Sequence, residues 1–527
     1  MQLASSPRSR MTVITLCTLA ALALVAVGCG DSGAPSSADG YSSYGDGGYW
    51  GGADAGGPWG GDAGGAVPPT DPGGEKYGEW IENDWVRTTA EPKSTFGIDV
   101  DTASYTLARR DLISNNRLPV PQSVRIEEYL NYFDYNYPEV QPGVPAPFSV
   151  AMELAPSKFG AGKHLLRIAL KGREIKPSER KAANLIFLID VSGSMQASNK
   201  LPLVQSSLTK LVDALDENDT LGIVVYASNE RVVLEPTAVL DKAKILHAIN
   251  TLSAGGSTNG AAGIQMAYKL AEQAYKQGGI NRVMLCTDGD MNVGLTGQAL
   301  VDYVIEKRKN GVTLSTLGFG SGNYNDKLMQ NLAENGNGNY HYIDSAAEAE
   351  RVLVKKLVAT LQVIAKDVKI QIDFDTTVVD KYRLLGYESR LLQNKDFTDD
   401  NKDAGEIGAG HRVTAFYEVQ LRAPVRLAGE VATLRLRYKQ PDGDVSSQMT
   451  HTLPITATRP SFEAASADFR FAAAVAELAE ILRHSKHSSG ARFDEVIKIA
   501  EDTAGNDQDR KQLVDMAKRA AALWSSK

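Results

Sequence analysis

The sequence predicts an α/β fold: a doubly wound, mostly parallel sheet inserted between two flanking segments that form a β-sandwich, with helices closing the chain. Three observations predict it. Continuous apolar runs alternate with amphipathic stretches over residues 183–365, strand-like alternation recurs on both sides of that region, and Ala-rich helical periodicity fills the C-terminus. The 527 residues allow about two to four domains, each with its own core. A formal charge of -8 without any Lys/Arg block argues against nucleic acid as a partner. Cys17, Cys29 and Cys286 are too far apart for a disulfide framework or a Cys-based zinc cluster.

From the N-terminus, Arg8 and Arg10 precede an apolar run, Met11 to Val27, that ends in Ala26-Val27-Gly28-Cys29 and turns polar at Asp31-Ser32. Residues 1–28 therefore read as an export signal. The alternative is a membrane-spanning helix, but the run is short for ~30 Å of hydrocarbon and contains Thr12, Thr15, Cys17 and Thr18. In residues 29–75 roughly a third of the positions are Gly, and apolar surface is too scarce to offset the entropy of ordering. This segment is expected to be a disordered tether reaching roughly 35–40 Å. Its Tyr41, Tyr44, Tyr49, Trp50 and Trp59 read as solvated spacers, with contact to cell-wall glycans as the alternative.

Residues 76–182 form the first flank. Periodicity predicts helices near Tyr105–Asn115 and Arg125–Phe133 and strands near Phe148–Leu154 and Leu165–Leu170. Asp99 and Asp101 do not make an aspartyl-phosphate phosphatase signature, because Ala103 occupies the position that needs Thr or Val.

In residues 183–365, strands are predicted at Leu185–Ile189, Leu221–Tyr226, Arg231–Leu234, Arg282–Thr287, Thr313–Gly318 and Tyr340–Ile343. Helices fall at Leu201–Leu215, Asp241–Ile249, Gly260–Gln277, Gln298–Lys309, Tyr324–Asn335 and Ala346–Leu361. Such sheets bind ligands at the carboxyl ends of their strands.

Residues 366–527 form the second flank, with strands at Val368–Phe374, Val379–Leu385, Val413–Leu421, Ala432–Tyr438 and Gln448–Leu453. Helices follow at Ala464–Leu482, Arg492–Asp502 and Gln508–Trp524. The acidic loop from Asp399 is not an EF-hand, since Ala404 replaces the turn Gly and Gly410 the bidentate Glu.

Polar residues gather where the predicted strands end. Asp190, Ser192 and Ser194 follow the first strand, Thr258 lies in a Gly-rich loop, and Asp288 follows Thr287. Three hydroxyls and two carboxylates make a hard oxygen site that suits Mg²⁺, with Mn²⁺ or Ca²⁺ as alternatives. Taken singly, Ser192 and Thr258 could be helix caps and Asp288 a turn residue. Cys286 reads as a buried strand thiol without a partnering His motif.

The ordered set Asp-x-Ser-x-Ser, downstream Thr and Thr-Asp-Gly resembles the metal-ion-dependent adhesion site of a von Willebrand factor type A domain. The resemblance implies that Ser192 and Ser194 bind the metal directly, Thr258 joins them in the ligand-bound form, and Asp190 and Asp288 act largely through water. It further implies a protein partner presenting Asp or Glu, and no enzymatic activity. Val-Gly-Cys resembles a bacterial lipobox, with Ala26 where Leu is usual, which implies a lipid-anchored Cys29. Gly30 after that Cys favours the outer over the inner membrane. Phe96-Gly97-Ile98-Asp99-Val100-Asp101-Thr102 and Asp403-Ala404-Gly405-Glu406-Ile407-Gly408-Ala409-Gly410-His411 resemble the flanks of YfbK-like von Willebrand A lipoproteins. Together these features imply a lipid-anchored envelope protein that captures an acidic side chain; a metal-dependent hydrolase and a scaffold with a non-functional metal site are the alternatives.

Overall fold

The computed structural model describes residues 74–525 except 142, 258–259, 290–295, 425–427 and 489–491. The expected export signal, Cys29 and nearly all of the expected tether lie outside these residues. Glu75, the last residue of the segment assigned to the tether, is buried, paired with Arg110 at 2.8 Å and hydrogen-bonded by Tyr77 at 2.5 Å. Among the described residues no helix is long and apolar enough to cross a membrane.

The central sheet runs Tyr340–Ile343, Thr313–Phe319, Ile280–Thr287, Ala183–Asp190, Thr220–Tyr226, Glu230–Ala238 in spatial order. All neighbours are parallel except the last pair, which is antiparallel. Every residue of Ala183–Asp190 is buried, because helices cover both faces. Leu185, Phe187 and Ile189 enter one apolar core, while Ile186 and Leu188 enter the other, as the two-residue strand period requires. The strand order reverses beside Ala183–Asp190, so the crevice at its carboxyl end is the switch point of the fold.

The flanks do form a β-sandwich, with strands from both flanks mixed in each layer. One layer orders Val86–Arg87, Val379–Leu385, Arg412–Leu421, His164–Gly172 and Phe148–Pro156. The other orders Leu391–Leu392, Lys93–Gly97, Val363–Phe374, Glu430–Lys439 and Ser446–Pro454, with Gly405–Gly408 added against Val363–Phe374. All pairings are antiparallel, and Leu166, Ile168 and Leu170 of one layer share a core with Ile370, Ile372 and Leu434 of the other.

Helices Ala467–Leu482, Phe493–Ala504 and Gln508–Ser525 pack with Ile126–Tyr132 in one further core. Ser466 caps the first of them by accepting the Phe469 N–H at 3.2 Å. That helix is anchored to the sandwich by buried Arg383, which pairs with Glu418 at 2.8 Å and Glu480 at 3.2 Å. The first flank also grips the central domain. Helix Ala103–Arg109 contributes Ala103 and Leu107 to one of its cores, Arg109 pairs with Asp344 and Glu348, and Arg125 pairs with Asp326 at 2.7 Å.

The predicted helix Tyr105–Asn115 is observed as Ala103–Arg109 continued by wide turns over Arg110–Ser114, and another predicted helix is interrupted. Ala346–Leu361 is observed as Ala346–Glu350 and Leu357–Leu361, joined by a wide turn in which the Lys356 N–H donates to the Arg351 carbonyl five residues back, at 2.9 Å. The widened turn holds Arg351 where its guanidinium lies 3.9 Å from the Tyr132 ring centre and pairs with Glu348 at 2.9 Å.

Candidate metal centre

The apolar run Leu185–Ile189 carries the chain to the edge of the sheet and delivers Asp190 there, fully buried. The following loop is tied to its neighbours by the backbone. Val191 N–H donates to the Tyr226 carbonyl at 3.0 Å, Gly193 N–H to the Gly256 carbonyl at 3.0 Å, and Gly255 N–H to the Val191 carbonyl at 2.8 Å. Gly256 has φ of +86°, and a Cβ on it would meet Ser228 Oγ at 2.6 Å, so only Gly fits this strut.

Four predicted residues come together on this frame. Asp190 Oδ1 accepts the Ser192 N–H at 2.9 Å, and its Oδ2 accepts the Thr287 hydroxyl at 3.0 Å. The Ser192 and Ser194 hydroxyl oxygens lie 3.0 Å apart. Asp288 follows Thr287 at the end of the adjacent strand and is fully buried. Thr258, the fifth predicted ligand, lies outside the described residues, as do Asp290 and Asn292.

Lys200 was not anticipated. Its ammonium donates to Asp288 Oδ2 at 2.8 Å, and its stem lies against Gly320, where a Cβ would fall 2.3 Å from Lys200 Cε. The other Asp288 oxygen, Oδ1, is sealed from solvent and has no hydrogen-bond partner. A sequence signal for Lys200 existed: it sits at the start of helix Leu201–Ala214, the end where the helix dipole disfavours a cation. A basic residue there needs a nearby anion.

Burial pushes the Asp190 carboxyl up to about 6, opposed by its bonds from Ser192 and Thr287 and reinforced by the Asp288 carboxylate. An all-oxygen donor set with an orphaned buried carboxylate oxygen fits a hard divalent cation, which would stabilise both carboxylates in their ionised form. Cys286 is fully buried in its strand, and burial raises its thiol far above the ordinary range.

Comparison with known proteins gives the family. Residues 184–357 match the von Willebrand factor type A domain, 359–523 match "Uncharacterized protein YfbK, C-terminal", and 71–167 match a family described as "von Willebrand factor". The chain is 39% identical over 459 residues to "Uncharacterized protein YfbK" of Escherichia coli (strain K12), covering 83% of this chain and 79% of that one. Inter-alpha-trypsin inhibitor heavy chain H4 of Homo sapiens is 30% identical over 147 residues, 26% of this chain and 16% of that protein. The solved structure of a von Willebrand factor type A protein from Catenulispora acidiphila aligns with a TM-score of 0.41 and 16% identity, covering 70% of this chain and 89% of that one. The chain belongs to the bacterial YfbK family and carries a von Willebrand factor type A domain, a fold that often serves protein–protein interaction.

Proposed function

We propose that the protein is an envelope-anchored binding module that captures an acidic side chain of another protein through Mg²⁺ held at the crevice of the central domain. The observation that carries this reading is the meeting of Asp190, Ser192, Ser194 and Asp288 at the switch point, with one Asp288 oxygen buried and unpaired. Ser192 and Ser194 would hold the ion directly, joined by Thr258 when ligand is bound, while Asp190 and Asp288 hold its water. When bound, the ion supplies an open, electrophilic position for a partner's Asp or Glu carboxylate. Lys200 sharpens the selection, because it neutralises Asp288 and so leaves the cation with net positive character. Asp190 orients the loop through the Ser192 N–H.

The remaining parts follow from the N-terminal sequence. Cleavage after Gly28 and lipidation of Cys29 would anchor the protein, in the outer rather than the inner membrane. The protein binds and does not turn over substrate.

Affinity capture from envelope extracts tests the reading. Partner recovery is expected with Mg²⁺ and lost in EDTA, with Asp190→Ala, and with the milder Ser192→Ala. Retention under all three conditions would overturn it, and so would turnover of generic phosphate or ester substrates abolished by Ser192→Ala. Membrane release on Cys29→Ser tests the anchor separately.

A further inference from the structure

Two segments singled out by their sequence, Phe96–Thr102 and Asp403–His411, take no part in the adhesion site. The fold brings them together: a Cβ on Gly405 would fall 2.1 Å from the Ile98 carbonyl, and one on Gly97 would lie 3.6 Å from the Ala404 Cβ. Between these segments and the end of helix Asp326–Asn335 lies a cavity of about 170 Å³. That is room for about five waters, or for an ion with part of its hydration shell.

Five carboxylates, those of Asp99, Asp101, Glu334, Asp403 and Glu406, line this cavity with one guanidinium, that of Arg390. Arg390 reaches Asp99 at 3.4 Å, Asp101 at 3.8 Å and Glu334 at 3.1 Å, and Asp403 is held from outside by Arg308 at 2.6 Å. By formal count five carboxylates face two guanidinium groups, and burial raises the Asp101 and Glu406 carboxyls, the latter to about 8. Asp99 is 1% exposed, and its Oδ1 accepts the Asp101 N–H at 3.0 Å, but its Oδ2 has no hydrogen-bond partner. Glu406 Oε1 is likewise sealed from solvent without a partner. Buried carboxylate oxygens without donors are costly, and a cation in the cavity that both residues line would offset that cost. Oxygens of Glu406, Asp403 and Asp367 all lie within 4.8 Å of one another, the span of atoms that share an ion at about 2.3–2.6 Å, with Asp367 also paired to Lys439 at 2.7 Å.

We propose that this cavity is a second cation site, distinct from the adhesion site, that binds Ca²⁺ through Asp367, Asp403 and Glu406, with Asp99 lining the same cavity. Calcium fits better than magnesium, because ligands from separate chain segments provide irregular, adjustable coordination, whereas magnesium demands a near-ideal octahedron. The ion would join the first flank to the acidic loop of the second flank, beside Glu334 of the central domain.

The test uses the full-length protein carrying Ser192→Ala and Ser194→Ala, so that the adhesion site is silent and its failure cannot be confused with failure here. Calorimetric titration with Ca²⁺, and Tb³⁺ luminescence sensitised by neighbouring tyrosines, are expected to report one site with Kd of about 1 mM or tighter. Glu406→Gln and Asp99→Asn are each expected to weaken it by about tenfold or more. Crystals grown with Tb³⁺ give an answer that needs neither variant: an anomalous peak is expected beside Asp403 and Glu406. No such peak, no Ca²⁺ binding in this background, or an affinity unchanged by both substitutions would overturn the proposal and assign the cavity to water.

Discussion

His341 provides a pH test whose size follows from its surroundings. Its ring is 7% exposed, with Nδ1 3.4 Å from the Thr102 hydroxyl and Nε2 buried without a partner. Burial, then the charges of Arg351 and Lys356, push it down to about 3, while Glu348 acts the other way. The unfolded chain binds the proton with the ordinary value of about 6.5, so acid favours unfolding. The native state is therefore fully stabilised by this group above pH 6.5 and loses that contribution as pH falls toward 3. Between pH 7 and pH 5 the loss amounts to about 2 kcal/mol, since one pH unit is worth about 1.36 kcal/mol once the unfolded His is protonated. Urea unfolding of the parent and of His341→Gln at both pH values isolates this term, because all other titrating groups cancel in the double difference. The gap between the two proteins is expected to change by about 2 kcal/mol in favour of the variant on acidification. A gap independent of pH would refute the reasoning and mean that His341 titrates in the native state as it does in a peptide.

Four further outcomes are expected. Lys200→Met leaves Asp288 buried and uncompensated, and should cost about 3–5 kcal/mol in urea unfolding without metal, with much of the loss recovered in saturating Mg²⁺. Arg383→Ala strips Glu418 and Glu480 of their shared cation and should cost a similar amount, about 3–5 kcal/mol, partly relieved by adding Glu480→Gln. Gly408→Ala places a Cβ 1.9 Å from the Ala359 carbonyl, where backbone must move, and should lower stability by about 1–3 kcal/mol. The Cys286 thiol should resist aromatic disulfide reagents at pH 8 in the native protein and react promptly in denaturant, as absorbance at the released thiolate reports.

Much of the central domain was legible because its strands are buried on both faces and so read as unbroken apolar runs, as Leu185–Ile189 does. The loop after Asp190 was legible because a hydroxyl-rich motif at a strand end has few structural uses in that order. The antiparallel edge strand Glu230–Ala238 could have been read as well: the connection from Tyr226 is too short for a parallel crossover. Other features depend on tertiary partners. The wide turn at Arg351–Lys355 interrupts a perfectly helical pattern in order to seat Arg351 against Tyr132, and nothing local in the sequence marks it. Lys200 meets Asp288 only after two distant strands align. The pairing of flank strands into common layers follows from no local pattern, since alternation shows that a strand has two faces but not which strand lies beside it.

That mixing of the flanks has a consequence for biogenesis. Thr88 hydrogen-bonds the Val379 carbonyl, 291 positions away, and Lys93–Gly97 finds its neighbours only in Val363–Phe374 and Leu391–Leu392. A chain made from its N-terminus therefore presents first-flank strands whose partners follow only after the entire central domain. During that interval the first flank exposes unpaired edges, the condition under which strands associate wrongly or are cleaved. The protein is thus a discontinuous assembly whose second flank completes its first.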